Sequence, residues 1–171
     1  MNRAELAAAI TACAKLTGSF TLRSGQKTTT YFDKYRFEAR PDLLRAIAHA
    51  MAPHIPPETE VLAGLELGGV PIATALSLET GLPAAFVRKE AKAYGTMRQA
   101  EGSDLAGRKT LIIEDVITTG GQVALSATDL RREDATLLGV LCVIYRGPND
   151  PHIADDPTLP VTALFTADEL D

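Results

Sequence analysis

The sequence predicts an α/β fold, a mostly parallel sheet covered by helices on both faces, and three observations carry that expectation. Val61 to Leu65, Lys109 to Val116 and Thr136 to Tyr145 are apolar runs of strand length. Continuous apolarity, rather than alternation, marks strands buried on both faces. Helical spacings fall between these runs, and alternation of this kind is the pattern of a parallel sheet. Finally, 171 residues suit one folded unit with its own core.

In order along the chain, Leu6, Ala9, Ile10, Cys13 and Leu16 recur at helical spacing and predict a first helix. Gly18 to Phe37 reads as irregular to extended, rich in Thr and aromatics. Pro41 opens a helix with Leu43, Leu44, Ile47 and Met51 on one face, and Asp42 suits its first turn. Pro53, Pro56 and Pro57 end it. A strand over Val61 to Leu65 precedes a helix from Pro71 to about Thr80, and Ala84 to Val87 is a further strand. Lys92 to Gly107 is polar and unpatterned. The strand from Lys109 to Val116 feeds a helix over Gly121 to Arg132, with Val123, Ala124, Ala127 and Leu130 facing inward. Strands over Thr136 to Tyr145 and Val161 to Phe165 follow. Residues 1–40 are expected to form a helix and a small N-terminal hood, and 41–171 the core, within one structural unit.

Charge and cysteine content narrow the class. Seventeen Lys and Arg face 22 Asp and Glu, a net charge of −5. That balance gives no general attraction to nucleic acid or anionic lipid, so a bound polyanion needs a local basic cluster. The longest apolar run, Leu137 to Tyr145, is far short of the roughly 20 residues of a membrane helix. The two cysteines, Cys13 and Cys142, form no CxxC, which suits a reducing, cytoplasmic setting. Glu5 stands where an export signal needs positive charge. His49, His54 and His152 lack metal-ligand spacing and read as surface residues.

Ligands of parallel sheets collect at the carboxyl ends of the strands. There the run Leu111-Ile112-Ile113-Glu114-Asp115-Val116-Ile117-Thr118-Thr119-Gly120-Gly121-Gln122 places two acids at a strand end, then hydroxyls and glycines at the start of a helix. Free backbone N–H groups at such a start bind anions. Two nearby carboxylates would repel a phosphate held too close. A ligand with phosphate at one end and neutral hydroxyls at the other resolves the conflict, and ribose 5-phosphate has that shape. The run is neither a Walker A loop nor GxGxxG.

This run resembles the phosphoribosyl diphosphate signature of the type I phosphoribosyltransferases, with Glu-Asp where many members have Asp-Asp. Val87-Arg88-Lys89-Glu90-Ala91-Lys92-Ala93-Tyr94-Gly95-Thr96 resembles the entry to the mobile catalytic loop of the orotate-specific members. Arg88, Lys89 and Lys92 concentrate positive charge suited to a departing pyrophosphate. Gly18-Ser19-Phe20-Thr21-Leu22-Arg23-Ser24-Gly25, with Tyr31-Phe32-Asp33, resembles the hood that closes over the base. Tyr145-Arg146-Gly147 supplies a guanidinium for a carboxylate. The resemblance covers roughly residues 18 to 147.

It implies a type I phosphoribosyltransferase fold and transfer of a phosphoribosyl group to orotate, giving orotidine 5-phosphate and pyrophosphate. The catalytic residues implied are Lys92, Asp115 and Glu114. Phosphoribosyl diphosphate would meet Arg88, Lys89, Lys92, Glu114, Asp115, Thr118, Thr119, Gly120, Gly121, Gln122 and Gly68. Orotate would meet Arg23, Tyr31, Phe32, Thr118 and Arg146. Magnesium carried mainly by the substrate and a homodimer are also implied, with no nucleic-acid or membrane partner. Gly68 departs from members that carry lysine in the Leu65-to-Pro71 turn, so one pyrophosphate contact is absent or supplied elsewhere. Another nucleobase, or a phosphoribosyl diphosphate-sensing regulator, are the alternatives.

Overall fold

The computed structural model of the chain describes residues 1–21, 25, 27–89 and 99–170. Its centre is a six-stranded sheet in the order β5-β4-β3-β6-β7-β8. These strands are β3 (Val61–Leu65), β4 (Ala84–Val87), β5 (Ala100–Gly102), β6 (Lys109–Ile117), β7 (Thr136–Tyr145) and β8 (Val161–Thr166). All neighbouring pairs are parallel except β4 with β5. The α/β expectation and its mostly parallel sheet are therefore correct.

Helices cover both faces. Helix α1 (Arg3–Ala14), α3 (Pro41–Met51) and α4 (Gly69–Thr80) bury Leu6, Ile10, Leu43, Ile47, Ile72 and Leu76 in one core with Leu111 and Ile113 of β6. Helix α5 (Gly121–Arg132) buries Val123, Ala127 and Leu130 in the other, with Ile112 of β6. Each fully buried aliphatic side chain contributes about 1.5–3 kcal/mol by leaving water. Local signals set the ends. Asn2 and Glu5 form a capping box at the start of α1. Pro41 begins α3. Gly81, at φ 78°, closes α4 in the left-handed conformation that glycine adopts at no steric cost.

Three expectations need correction. The first helix stops at Ala14, and Leu16 belongs to β1 (Lys15–Thr21). The segment read as irregular to extended is extended as an antiparallel pair, β1 with β2 (Lys27–Phe32), but ends in the short helix α2 (Tyr35–Glu38), which was not expected. The polar stretch after residue 92 contains β5, which adds to the sheet edge through backbone pairing with β4 and needs no apolar pattern of its own. In addition, α4 begins at Gly69, ahead of Pro71. Proline in a first turn is tolerated because that turn's N–H groups have no intrahelical partner.

Because β3, β4, β6 and β7 run parallel, their carboxyl ends open onto one rim. That rim receives the turn after Leu65, Arg88 and Lys89 after Val87, the β6–α5 turn, and Arg146 after Tyr145. The β1–β2 pair is a separate sheet. It shares a cleft with this rim.

Candidate active site

Strand β6 lies between β3 and β7, and it delivers Glu114 and Asp115 into the interior. Glu114 is level with Cys142 on β7. The Asp115 backbone N–H donates to Glu114 Oε1 at 2.9 Å, and the Val116 N–H donates to Asp115 Oδ1. Two carboxylates in sequence, both buried, cannot share one charge state easily. Burial, then the neighbouring Asp115, pushes Glu114 well above the usual carboxylate range. Burial works against Asp115 ionising as well, yet contacts from Glu114, Glu38 and Lys34 outweigh it and hold Asp115 below its ordinary value. Of the two acids, Asp115 is therefore the one that ionises more readily.

Lys34, just ahead of α2, places Nζ 2.6 Å from Asp115 Oδ2. The contact is an ion pair by distance, without the alignment of a hydrogen bond. Burial disfavours the Lys34 ammonium, but Asp115 and then Glu114 more than compensate, and its pKa is raised. Glu38, at the end of α2, is buried, and among the described residues its Oε1 has no hydrogen-bond partner. Burial, then Asp115, pushes Glu38 up to about 8, so it is a neutral acid at pH 7.

Gly68 closes this cluster. A Cβ on Gly68 would stand 1.6 Å from Asp115 Oδ2 and 2.9 Å from Glu38 Oε1. Glycine is what allows the turn after β3 to lie against the acid. The absence of a side chain at this position is filled from elsewhere in the fold, by Asp115, Glu38 and Lys34. In the same turn the Glu66–Leu67 peptide is cis, and Glu66 Oε1 accepts a hydrogen bond from the Lys89 backbone N–H at 2.6 Å. Arg88 is exposed and lines a hollow of about 250 Å³ with Glu66, Leu67 and Val70.

After β6, Thr118 and Thr119 are exposed, and Gly120 takes φ 77° before α5 begins at Gly121. A side chain on Gly120 would also meet Ile153, with Cβ 2.6 Å from Cδ1. Gln122 is exposed in the first turn of α5. Exposed hydroxyls ahead of a helix start are an arrangement that can bind an anion.

A cleft of about 470 Å³ adjoins the acids, lined by Thr28, Thr30, Tyr31, Phe32, Lys34, Val116, Thr118 and Arg146. The Arg146 guanidinium lies over the Phe32 ring, 5.1 Å from its centroid. Its backbone N–H donates to Ile117 O at 2.7 Å, which ties the end of β7 to β6. The structure thus brings Tyr31, Phe32, Thr118 and Arg146 together. Arg23 and Lys92 lie outside the described residues.

A family model for the phosphoribosyl transferase domain matches residues 36–158. An orotate phosphoribosyltransferase from Nocardioides sp. is 54% identical over 168 residues, spanning 98% of this chain and 94% of that protein. This chain belongs to the orotate phosphoribosyltransferases. The homologue from Halobacterium salinarum is 41% identical over 154 residues, covering 90% of this chain and 87% of its own. Among solved structures, Mycobacterium tuberculosis H37Rv orotate phosphoribosyltransferase with Fe(III) dicitrate matches with TM-score 0.86 and 29% identity, covering 98% of each chain. The same enzyme in complex with 5-phospho-alpha-D-ribosyl 1-diphosphate matches with TM-score 0.80 and 25% identity over 98% of each.

Beside the expected residues, the cluster and its cleft contain four that the sequence did not single out: Lys34, Glu38, Thr28 and Thr30. The signal available for the first two was a cation and an acid four residues apart beside the aromatic hood. Among the described residues no group of three or more His, Cys, Asp or Glu is placed to hold a metal ion. Magnesium prefers hard oxygen donors, and a substrate diphosphate would supply most of them.

Proposed function

We propose that this chain transfers the 5-phosphoribosyl group of phosphoribosyl diphosphate to orotate with the residue roles that follow. The observation that carries them is the convergence, on one rim, of a phosphate cradle, a buried acid pair and an arginine-lined aromatic cleft. The N-terminal hood within residues 1–40 forms the outer wall of that cleft, over the core of residues 41–171. Thr118, Thr119 and the N–H groups from Gly120 to Gln122 hold the 5-phosphate. Glu114 and Asp115 accept hydrogen bonds from the ribose hydroxyls. Arg146 pairs with the orotate carboxylate, while Phe32 and Tyr31 cover the ring and Arg23 adds positive charge from the hood.

In the reaction the bond between the anomeric carbon and the diphosphate oxygen breaks, and its electron pair leaves with pyrophosphate. A ring nitrogen of orotate forms the new bond to that carbon. The sugar gains positive charge as the bonds exchange, and the Asp115 carboxylate favours that development. Arg88, Lys89 and Lys92 receive the charge building on pyrophosphate, near the turn bearing Gly68. Magnesium, when bound to the diphosphate, neutralises and orients it. The cleft's apolar wall limits water at the cationic carbon.

A homodimer and a cytoplasmic location belong to the same reading. Among the described residues no helix is long and apolar enough to cross a membrane. The deciding experiment is loss of orotate absorbance with phosphoribosyl diphosphate and magnesium together and with each omitted. Consumption that requires both supports the assignment. Binding of phosphoribosyl diphosphate without consumption of orotate would sink it in favour of another base or a regulator.

A further inference from the structure

Asp115, the acid assigned to the ribose, has a side chain with 0% exposure, and the Lys34 side chain against it is 33% exposed. Around its Oδ2 stand Lys34, Glu38 and Gly68. Gly68 is backbone and Glu38 is buried, so the one mobile cover is Lys34. A ribose hydroxyl reaches this carboxylate only if the ammonium leaves it. Lys34 also lines the cleft that contains Arg146, Phe32 and Thr118, so the direction open to it is the base site.

We infer that Lys34 is a cation shared by the two substrate sites: it caps Asp115 in the free protein and turns to the anionic base once ribose takes that carboxylate. The inference rests on the proposed roles of Asp115 and the Arg146 cleft. The cation comes from the hood, and Gly68 leaves the space for the acid.

The consequence is coupled binding. Ribose must break the Lys34–Asp115 pair, which weakens its own binding. An anionic base then compensates the released ammonium, so each ligand strengthens the other by the same factor. A hydroxyl accepted by Asp115 replaces the lost contact there. Arg146 alone would give affinity for the base without this dependence on ribose.

The test is calorimetric titration of orotate into the full chain, with and without saturating ribose 5-phosphate. That ligand carries the hydroxyls and phosphate but no diphosphate, so no transfer occurs. In the wild-type protein ribose 5-phosphate tightens orotate binding by about tenfold. In Lys34→Met the tightening disappears, orotate binds more weakly, and ribose 5-phosphate alone binds at least as well as before. Lys34→Arg retains part of the coupling. Thermal melts check folding, and Lys34→Gln replaces Lys34→Met if the latter does not fold. Equal coupling in wild type and the neutral variant, or no coupling in wild type, overturns the role of Lys34. Failure of the wild type to consume orotate with phosphoribosyl diphosphate and magnesium instead overturns the reading on which it rests.

Discussion

The β6–α5 turn and the β1–β2 pair face the same cleft, but different forces hold them. Strand β6 pairs with β3 and β7 and is buried on both faces, so its backbone has no freedom to move singly. The β1–β2 pair bonds to itself, and most of its residues are exposed. What joins the two is side-chain chemistry: Lys34 and Glu38 on Asp115, and Arg146 over Phe32. On the proposed assignment, the phosphoribosyl half of the site is built into the core. The base half is attached to it by charge and ring contacts, which suits a cover that must admit and release a base.

If that contrast holds, substitutions on the β6 side cost most. Asp115→Asn removes the more readily ionised acid of the pair, the carboxylate that the Lys34 ammonium lies against. The expected loss in kcat/KM is about 10³-fold, at the upper end for removing one preorganised electrostatic partner. Steady-state rates with both substrates check this. A loss below tenfold would mean that Asp115 is structural and that the ribose contact lies elsewhere.

Gly68→Ala comes next. Its Cβ would stand 1.6 Å from Asp115 Oδ2, so the carboxylate or the turn must shift. A displacement on the order of 1 Å at a reacting site costs about a hundredfold in rate. Overpacking adds about 1–3 kcal/mol of destabilisation. Kinetics and thermal unfolding measured together separate the two effects. Unchanged activity would show that the acid adapts, and that the β6 side is less fixed than its burial implies.

On the attached side the effects are smaller and selective. Arg146→Ala is expected to raise KM for orotate about tenfold, the lower range for a hydrogen bond to a charged group at an exposed position. The KM for phosphoribosyl diphosphate should change far less. Equal changes in both would argue that the Arg146 side chain serves by packing over Phe32 rather than by meeting the base carboxylate.

The same division decided what the sequence revealed. Parallel strands carry their own signal, since Val61–Leu65, Lys109–Ile117 and Thr136–Tyr145 are buried on both faces and must be apolar. The acid pair and the Thr-Thr-Gly-Gly turn are contiguous, so their joint chemistry could be read in one window. The β1–β2 pair is short, polar and bulged between Thr17 and Phe20, so no period marked it as strand. Strand β5 was hidden for another reason, because it exists only through its pairing with β4. Lys34 and Glu38 lie far along the chain from Asp115, and only the packing of α2 against the turn at Gly68 makes their charges meaningful. A lysine and a glutamate beside an aromatic segment otherwise look like solvated surface.

A further prediction, on stability rather than rate, sharpens the contrast at its seam. Glu38 belongs to the hood side but is buried against the acid, which pushes its pKa up to about 8. The folded state thus binds a proton that the unfolded chain gives up near the ordinary value of 4.5. The stabilisation from that proton is complete below the unfolded value and is lost as pH rises through the folded one. Glu38→Gln keeps the shape of the neutral acid and cannot ionise, so this pH-dependent loss is absent. The difference in Tm between variant and wild type should therefore move in the variant's favour from pH 5 to pH 9, with each kcal/mol worth about 2–4 °C in a chain of this size. Glu114, Asp115 and Lys34 titrate in both proteins, and taking the difference reduces their contribution. A Tm difference independent of pH would show that Glu38 ionises normally, and that the hood meets the acid through Lys34 without it.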